Sequence, residues 1–335
     1  MKKFLALLLA LVMSLSLVAC GGGDDTAADG GADAEDGGNA ETAAYQVAMI
    51  TDYGDITDQS FNQTTYEACQ EFCDAEGLQF EYYKPAGDST AERVAMVDAA
   101  VADGYNVIVM PGYAFAETIK ETAELYPDVT FIALDVAQGD LGEDYTVPSN
   151  VYCAVYQEEL CGYMAGYAAV KLGYKNLGFL GGMAVPAVVR YGYGFVQGVD
   201  AAAADLGLTD VTVNYVYGGQ FFGDADITAV MDTWYAGGTE VVFACGGGIY
   251  TSAVDAAKKA NAKVIGVDVD QAGVIAGYAG VEGMTVTSAM KGLYPTTYDT
   301  LSDVILNDNW SKYAGQIATL GLVSADDPEA NYVQI

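Results

Sequence analysis

The stretch QVAMITDYGDITDQSFNQ, residues 46–63, indicates a parallel α/β sheet that carries a binding loop. Val47 to Ile50 form an apolar run with the length and composition of a buried strand. An acidic loop that contains glycine follows, and it leads through Ser60 into a helical segment. Open α/β sheets bind ligands at the carboxyl ends of their strands. The sequence therefore predicts that this loop contributes to a ligand site.

Three side chains of this loop suit a ligand with a base and a sugar. Asp52 can accept hydrogen bonds from hydroxyls, Phe61 can stack, and Asn62 offers one donor and one acceptor to a ring edge. The loop's acids and glycine also fit simple turn chemistry, because Asp and Gly satisfy loop backbones. A calcium loop fits less well, since the sixth position lacks glycine and Gln63 replaces the bidentate glutamate.

The N-terminal residues predict export to a membrane surface. Lys2 and Lys3 precede an apolar run from Phe4 to Val18, the pattern of a signal peptide over residues 1–20. The run ends in Leu-Val-Ala followed by Cys20, which resembles the lipobox of bacterial lipoproteins. That resemblance implies acylation of Cys20 and anchoring to the membrane through two or more acyl chains. A cleaved secretory signal with an incidental cysteine is the alternative.

Residues 21–44 contain seven acids and no bases among small and polar residues, a composition that predicts a disordered acidic tether. The formal net charge of the whole chain is −33. A surface of this charge repels phosphate backbones, so no nucleic-acid partner is expected.

The remainder of the chain alternates strand-like apolar runs with segments of helical period, the pattern of doubly wound α/β lobes. The predicted strands are Val47 to Ile50, Val107 to Met110, Thr130 to Leu134, Leu177 to Leu180, Val211 to Val216, Glu240 to Ala244 and Lys263 to Val267. The predicted helices are Thr64 to Ala75, Ala91 to Ala102, Phe115 to Leu125, Glu158 to Lys171, Tyr193 to Leu206, Ile227 to Ala236 and Thr251 to Ala260.

Several separated motifs resemble the basic membrane protein family of lipoproteins, which are substrate-binding components of ABC importers. The first is DYGDITDQSFNQ at residues 52–63. The others, in order, are AELYPDVTFIALD at 123–135, ELCGYMAGYAA at 159–169, GGMAVPAVVRYGYGFVQG at 181–198, residues 246–250, VIGVDVDQ at 264–271 and TSAMK at 287–291.

The resemblance implies the type I periplasmic binding fold, in which two doubly wound parallel-sheet lobes joined by a hinge close on a ligand. The first lobe is expected to comprise residues 45–150 plus 286–312. The second is expected to comprise residues 151–285 plus 313–335.

Several members of the family are receptors for purine nucleosides, and the resemblance implies which residues of this chain would contact such a ligand. The first lobe would supply Asp52, Phe61, Asn62 and Asp135. The second would supply an aromatic face from Phe221 or Phe222, a close backbone approach at Gly246 or Gly247, and a ribose contact from Asp268 or Asp270 together with Lys291; Phe221, Gly246 and Asp268 are preferred.

The implied function is that of a lipid-anchored, extracytoplasmic binding protein that delivers a purine nucleoside to an ABC permease. A monomer without cofactor or metal is expected. A nucleoside fits better than a nucleotide, because the carboxylates repel phosphate and no GxxxxGK[ST] motif is present. Gly192, Gly194 and Gly198 are spaced one residue too long for GxGxxG, and we interpret them as packing at a helix start.

An enzyme is the rival class, and the chain is predicted not to be one. It contains no histidine, which removes Ser-His-Asp and Cys-His mechanisms, although paired carboxylates leave a nucleoside or glycoside hydrolase open. A sugar- or riboflavin-binding protein of the same fold and a signalling sensor are further alternatives. Beyond Cys20 the chain has five cysteines, an odd number, so not all of them can pair within one chain. We expect them to be small buried apolar residues; they are Cys69, Cys73, Cys153, Cys161 and Cys245.

Overall fold

The strands and helices follow one another along residues 45–335, which are the residues that the computed structural model describes. The strands are β1 (Gln46–Ile50), β2 (Gln79–Tyr83), β3 (Val107–Pro111), β4 (Thr130–Leu134), β5 (Val151–Tyr156), β6 (Asn176–Gly181), β7 (Thr212–Tyr217), β8 (Val241–Cys245), β9 (Lys263–Asp268), β10 (Thr285–Lys291), β11 (Gln316–Leu320) and β12 (Val333–Gln334). The α-helices are α1 (Phe61–Glu76), α2 (Thr90–Ala102), α3 (Phe115–Thr122), α4 (Gln138–Leu141), α5 (Glu158–Lys171), α6 (Pro186–Leu206), α7 (Ala225–Ala236), α8 (Tyr250–Ala260), α9 (Ala272–Ala279) and α10 (Leu293–Ile305).

The strands form two sheets with the same internal order. The first sheet runs β2-β1-β3-β4-β5-β11, and all of its pairs are parallel. The second runs β7-β6-β8-β9-β10-β12, and β12 is antiparallel to its neighbour β10. In each sheet the strand order reverses beside its first strand, between β1 and β3 and between β6 and β8. Such a reversal opens a crevice at the carboxyl ends of the strands.

The central strands are apolar because helices cover them on both faces. Every residue of β3 and of β8 is buried. This confirms the predicted fold class of two doubly wound α/β lobes, and every predicted strand is present. All five described cysteines are buried free thiols, which agrees with their interpretation as small apolar residues.

Within the described residues the chain crosses between the two sheets three times, and the crossing segments run beside one another. Two of these crossings follow β5 and β10, and the third joins β11 to β12. The backbone N–H of Gln157 donates to the carbonyl of Leu320 at 2.9 Å, and that of Gly292 donates to the carbonyl of Tyr332 at 2.8 Å. These hydrogen bonds tie the crossings into one narrow connection, the arrangement expected of a hinge.

Strand pairing moves the predicted lobe boundaries. Residues 151–156 and 316–320 were assigned to the second lobe, but they form β5 and β11 of the first sheet. Residues 286–291 were assigned to the first lobe, but they lie in β10 of the second sheet. The chain completes a strand before it crosses, and the helix after the crossing, α5 or α10, then packs on the other lobe. Movement of the two lobes against each other stays a prediction.

Helices α5 and α6 pack with their backbones in close contact. Gly162 and Gly166 of α5 face α6, while Gly194 and Gly198 of α6 face α5. A Cβ at any of the four would lie 2.0–2.3 Å from a backbone carbonyl oxygen of the opposite helix. The glycines of α6 were expected at a helix start. They lie instead in the middle of a helix that begins at Pro186, where Pro is favoured as a first residue.

Candidate functional site

A cavity of about 730 Å³ lies between the two sheets, at the carboxyl ends of their strands. Its walls include the loops after β1 and β4 of the first sheet and after β7 and β8 of the second. The preferred site residues named from the family resemblance all line it, and they are Asp52, Phe61, Asn62, Asp135, Phe221, Gly246, Asp268 and Lys291. The fold therefore brings together residues that are up to 239 positions apart in the sequence (291 − 52).

Lys291, the last residue of β10, is the positive centre of one end of the cavity. Its Nζ lies 2.6 Å from Asp135 Oδ2, 3.4 Å from Glu158 Oε1 and 3.9 Å from Asp268 Oδ1. On the far side of Glu158, Arg190 Nε lies 2.6 Å from Oε2. The Lys291 ammonium thus lies near three carboxylates, and one of these, Glu158, also pairs with the Arg190 guanidinium. When all five groups are ionised, the cluster carries one excess negative charge.

Burial and charge act in opposite directions on the pKa values of this cluster. Burial alone would lower the pKa of Lys291, but the neighbouring carboxylates raise it well above its ordinary value, so the ammonium stays charged. Burial raises the pKa of Asp268 and of Glu158, and the Lys291 charge opposes that rise in both. A ligand at this end meets one strong donor beside carboxylate acceptors, an arrangement that suits hydroxyl groups.

Asp135 and Asp268 occupy equivalent places in the two sheets. Asp135 directly follows β4 and Asp268 ends β9, and both have left-handed backbone dihedrals, with φ of 62° and 66°. Such dihedrals are unfavourable for residues other than glycine and cluster at functional sites. Asp135 Oδ1 is buried and receives no hydrogen bond from the described chain. This oxygen is available to a ligand hydroxyl.

The structure adds residues that the sequence analysis did not name. Asp268 accepts hydrogen bonds from Ser60 Oγ at 2.6 Å and from the Tyr191 hydroxyl at 3.2 Å. Glu158 is fully buried and connects Arg190 to Lys291. A sequence signal did exist for the ion pair, since an acid follows the apolar run VYCAVY at the start of α5 and arginine is rare in this chain.

Direct hydrogen bonds join the two lobes across the cavity. Ser60, at the start of α1, donates to Asp268 of the second sheet. Gln271 Nε2 donates to the carbonyl of Gln59 at 3.1 Å, and Lys291 reaches Asp135 of the first sheet. The described structure therefore has the lobes in contact around the cavity.

The aromatic pair across the cavity differs from the predicted one. The ring of Tyr53 faces that of Phe221, with centroids 6.2 Å apart and planes inclined by 24°. Phe61, which was expected opposite Phe221, instead lies under Lys291, whose Nζ is 4.7 Å from the ring centroid. Gly182 and Gly246 make room for Phe221, since a Cβ at either would lie within 2.8 Å of its ring. Tyr53 is thus a further candidate for stacking.

The two ambiguous pairs of residues have distinct environments. Phe222 is 62% exposed, whereas Phe221 packs against Tyr53 inside the cavity. Asp270 is exposed, and its Oδ1 accepts from the backbone N–H of Ala272, the first residue of α9, at 3.0 Å. The geometry therefore favours Phe221 and Asp268 as the residues that face a ligand.

Asp52 is buried in the cavity wall, and its contacts are separate from those of the Lys291 cluster. Its Oδ1 accepts from the backbone N–H groups of Tyr53 at 2.6 Å and Gly54 at 3.0 Å. Burial raises its pKa to about 6, although those backbone hydrogen bonds act to lower it. At neutral pH the carboxyl is therefore ionised and acts as an acceptor.

The free energy of unfolding of an Asp52→Asn variant, relative to that of the unchanged protein, is expected to increase as the pH rises from about 4 to 7. Between about pH 4 and pH 6 the folded protein keeps a proton on Asp52 that the unfolded chain has released, so folding becomes less favourable with rising pH. A pKa raised from 3.8 to about 6 corresponds to about 2–3 kcal/mol. Asparagine cannot ionise and avoids this loss. Urea unfolding of both proteins across the range measures it, and a difference independent of pH would contradict the buried carboxyl.

The predicted signal peptide, the acylated Cys20 and the acidic tether lie outside the described residues. Within residues 45–335, no helix combines the length and the apolar character needed to cross a bilayer.

Comparisons with known proteins agree on the type of molecule. Residues 45–325 match the model of the family Bmp, described as ABC transporter substrate-binding protein PnrA-like. The chain is 27% identical over 239 residues to the ABC transporter nucleoside-binding protein BmpA of Lactococcus lactis subsp. cremoris. That alignment covers 68% of this chain and 64% of BmpA, so the chain spans just under two thirds of the length of that relative. It is 25% identical over 336 residues to an uncharacterized lipoprotein of Pyrococcus abyssi, covering 96% of this chain and 75% of that protein.

Among solved structures, ABC transporter solute-binding proteins from Aeropyrum pernix K1 resemble the chain with a TM-score of 0.71. The superposition covers 83% of this chain and 74% of that one, at 21% sequence identity. This likeness shows the type of fold, two α/β lobes around a central cleft.

Proposed function

The chain belongs to the Bmp family of PnrA-like ABC transporter substrate-binding proteins, and we propose that it binds a purine nucleoside between its two lobes for import. The observation that carries this proposal is a cavity with two chemically different ends. One end contains aromatic rings and the Asp52 and Asn62 side chains, and the other contains Lys291 among carboxylates. A nucleoside has the matching parts, a flat base and a ribose with vicinal hydroxyls.

The aromatic end is suited to a flat ring. Two stacked contacts of about 3.5 Å each require roughly 7 Å between the flanking ring planes. The ring centroids of Tyr53 and Phe221 lie 6.2 Å apart, so the two rings must part by at least about 1 Å to admit a base between them. Phe61 provides further apolar surface beside Lys291. Ligand contacts to both lobes would then favour the closed form over the open one.

The charged end favours an uncharged sugar over a phosphate. Lys291 is already engaged with Asp135, Glu158 and Asp268, and the cluster has an excess of negative charge. A phosphate placed here would be repelled by carboxylates in a poorly solvated site. Hydroxyl groups can donate to the free Oδ1 of Asp135 and accept from the ammonium.

The cellular setting of this proposal is an exported protein held on the membrane. The family consists of substrate-binding proteins of ABC transporters, so a ligand and a permease are its partners. A lipid anchor on Cys20 would keep the domain close to that permease. The name of the Pyrococcus abyssi relative as a lipoprotein supports this anchor. We propose a monomeric binding protein rather than an enzyme.

Thermal unfolding of the purified full-length protein in mild detergent tests the proposed ligand. We expect inosine or guanosine at about one hundred times its dissociation constant to stabilise the protein by about 2.7 kcal/mol, a midpoint shift of roughly 5 °C. Ribose, galactose, riboflavin, uridine and GMP are expected to produce smaller shifts. A response to a sugar or riboflavin alone would contradict nucleoside binding.

The neighbouring phenylalanines provide a matched control. Phe221→Ala should weaken nucleoside binding about 5–150-fold, because base-to-aromatic stacking contributes about 1–3 kcal/mol. Phe222→Ala removes an exposed ring of the same kind and should change affinity by less than about threefold. Equal losses in the two variants would show that the ring facing Tyr53 has no special role.

A further inference from the structure

Two direct hydrogen bonds join the lobes beside the cavity rather than inside it. Gln271 Nε2 of the second lobe donates to the carbonyl of Gln59 in the first lobe at 3.1 Å, and Ser60 Oγ donates to Asp268 Oδ2 at 2.6 Å. Ser60 and Gln271 are fully buried. In the described structure neither of them lines the cavity, and nor does Gln59, whereas Asp268 does. The contact between Gln271 and Gln59 therefore joins the lobes away from any ligand in the cavity.

The second lobe fixes the direction of the Gln271 amide. Its Oε1 accepts from the backbone N–H of Val267 at 3.0 Å, and the backbone N–H of Gln271 donates to Ser288 Oγ at 3.1 Å. Gly266 leaves room for this arrangement, since a Cβ there would lie 2.9 Å from the Cβ of Gln271. An amide has one oxygen acceptor and one NH₂ donor group. Because the oxygen is engaged within the second lobe, the NH₂ group is the part that reaches the first lobe.

The turn that contains Gln59 presents its carbonyl to Gln271. Gln59 has a left-handed backbone with φ of 57°, which is uncommon for a residue other than glycine. Gln63 Oε1 holds this turn, because it accepts from the backbone N–H of Gln59 at 3.1 Å and from its Nε2 at 2.6 Å. Asp58 Oδ1 accepts from the next backbone N–H, that of Ser60, at 2.9 Å. Residues in such dihedrals cluster at ligand clamps and switch regions.

We propose that Gln271 and Ser60 form an interlobe latch that favours closure of the lobes before a ligand binds. The proposal goes beyond the proposed function and uses it only in the affinity test below. When the lobes part, water replaces the partner of each group, so each bond should shift the closing equilibrium by about 2–10-fold. The apparent affinity of a ligand that binds the closed form is proportional to the fraction of protein that is closed. Gln271 is thus a positioning residue that raises affinity without contacting the ligand.

The thiol of Cys245 reports opening of the lobes without any ligand. Cys245 ends β8, lines the cavity and is 1% exposed. Cys153 and Cys161 are also buried, but in the described structure they do not line the cavity. Burial raises the pKa of the Cys245 thiol, so alkylation requires exposure of this residue to solvent. The alkylation rate of each cysteine, followed by peptide mass spectrometry of the purified full-length protein in mild detergent, therefore measures closure.

Gln271→Met removes the donor between the lobes and keeps the length of the side chain. Without ligand, we expect alkylation of Cys245 to accelerate about 5–30-fold, because the partly buried carbonyl of Gln59 loses its partner in the closed form. Cys153 and Cys161 should keep their slow rates. An unchanged rate at Cys245 would overturn the latch. Equal acceleration at all three cysteines would also overturn it, since the whole fold would then have loosened.

Gln138→Met is a matched control, because it makes the same change within one lobe. Gln138 Nε2 donates to the carbonyls of Gly142 at 2.8 Å and Tyr145 at 2.9 Å, all in the first lobe. This variant should change alkylation of Cys245 by less than about twofold. An effect as large as that of Gln271→Met would contradict a role specific to the contact between the lobes.

Ser60→Ala tests the second bond of the latch and serves if Gln271→Met does not fold. It removes the hydroxyl that donates to Asp268 and should accelerate alkylation of Cys245 about 2–10-fold without ligand. An unchanged rate in this variant would remove Ser60 from the latch and contradict the proposal as stated.

Affinity tests whether Gln271 acts on closure or on ligand contacts. Isothermal titration with inosine and with guanosine should show both binding more weakly to Gln271→Met, by the same factor, since Gln271 lies outside the cavity wall. A loss confined to one nucleoside would mean that Gln271 acts on ligand contacts, and it would overturn the latch. No binding of either nucleoside to the unchanged protein would overturn the proposed function, and the alkylation rates would still decide for or against the latch.

Discussion

Replacing Lys291 with methionine is expected to lower the free energy of unfolding by about 3–5 kcal/mol at neutral pH. The side chain of Lys291 is only 3% exposed, and its ammonium is the shared counter-ion of Asp135, Glu158 and Asp268. Methionine fills a similar volume, so the loss is one of charge rather than packing. The variant would hold three buried carboxylates with Arg190 as their remaining partner. Urea unfolding of both proteins measures the change.

The pH dependence distinguishes this electrostatic cause from a general packing defect. Lowering the pH protonates carboxylates whose pKa burial already raises, among them Glu158 and Asp268. Their mutual repulsion then disappears, so the deficit of the variant should shrink as the pH falls towards about 4. A deficit of the same size at every pH would contradict the charge-based account.

An exposed lysine provides the control for Lys291. Lys259 pairs with Asp232 at 2.8 Å, but its side chain is 60% exposed. Lys259→Met should therefore change stability by less than about 1 kcal/mol. Affinity for the proposed nucleoside should fall about 10–150-fold in Lys291→Met, because a charged donor to the proposed ligand is lost, and should not change in Lys259→Met.

The fold could be predicted where hydrophobic pattern decides structure. Buried central strands such as Val107–Pro111 and Val241–Cys245 are continuous apolar runs, and each was found from composition. Gln79–Tyr83 was not identified, because it is an edge strand with mixed burial. Thr285–Lys291 was missed because polar residues interrupt its apolar pattern. Pairing with a neighbouring strand, rather than local composition, determines such segments.

Apart from the family resemblance, local sequence pattern could predict the site residues only where a single loop after a strand carries them. Asp52 and Asp135 follow apolar strands, so their position at the carboxyl edge of a sheet follows from the sequence. Glu158 and Arg190 meet because α5 and α6 pack closely, which no local pattern states. The orientation of Asn62 depends on Asp58, whose carboxylate serves four donors at once. Such orientation is a property of the assembled hydrogen-bond network.

Placing alanine at both Gly194 and Gly198 of α6 is expected to destabilise the protein by about 4 kcal/mol. Each new Cβ would lie 2.0 Å from a backbone oxygen of α5, so the helices must move apart. Overpacking costs about 3 kcal/mol at each site, against a gain of about 1 kcal/mol each for replacing helical glycine. Thermal or urea unfolding gives the sign directly. The single variant Gly198→Ala, with about half the effect, serves if the double variant does not fold.

The matched control lies in another helix with the same spacing. Gly273 and Gly277 are four residues apart in α9, and a Cβ at either meets no atom within 4 Å. Alanine at both should therefore stabilise the protein by up to about 2 kcal/mol, about 1 kcal/mol at each position, through helix propensity alone. The α6 variant should also lose nucleoside affinity, because separating the helices moves Arg190 from Glu158 and Tyr191 from Asp268. Stabilisation in both pairs would mean that the α5–α6 contact does not hold the charged end of the cavity in place.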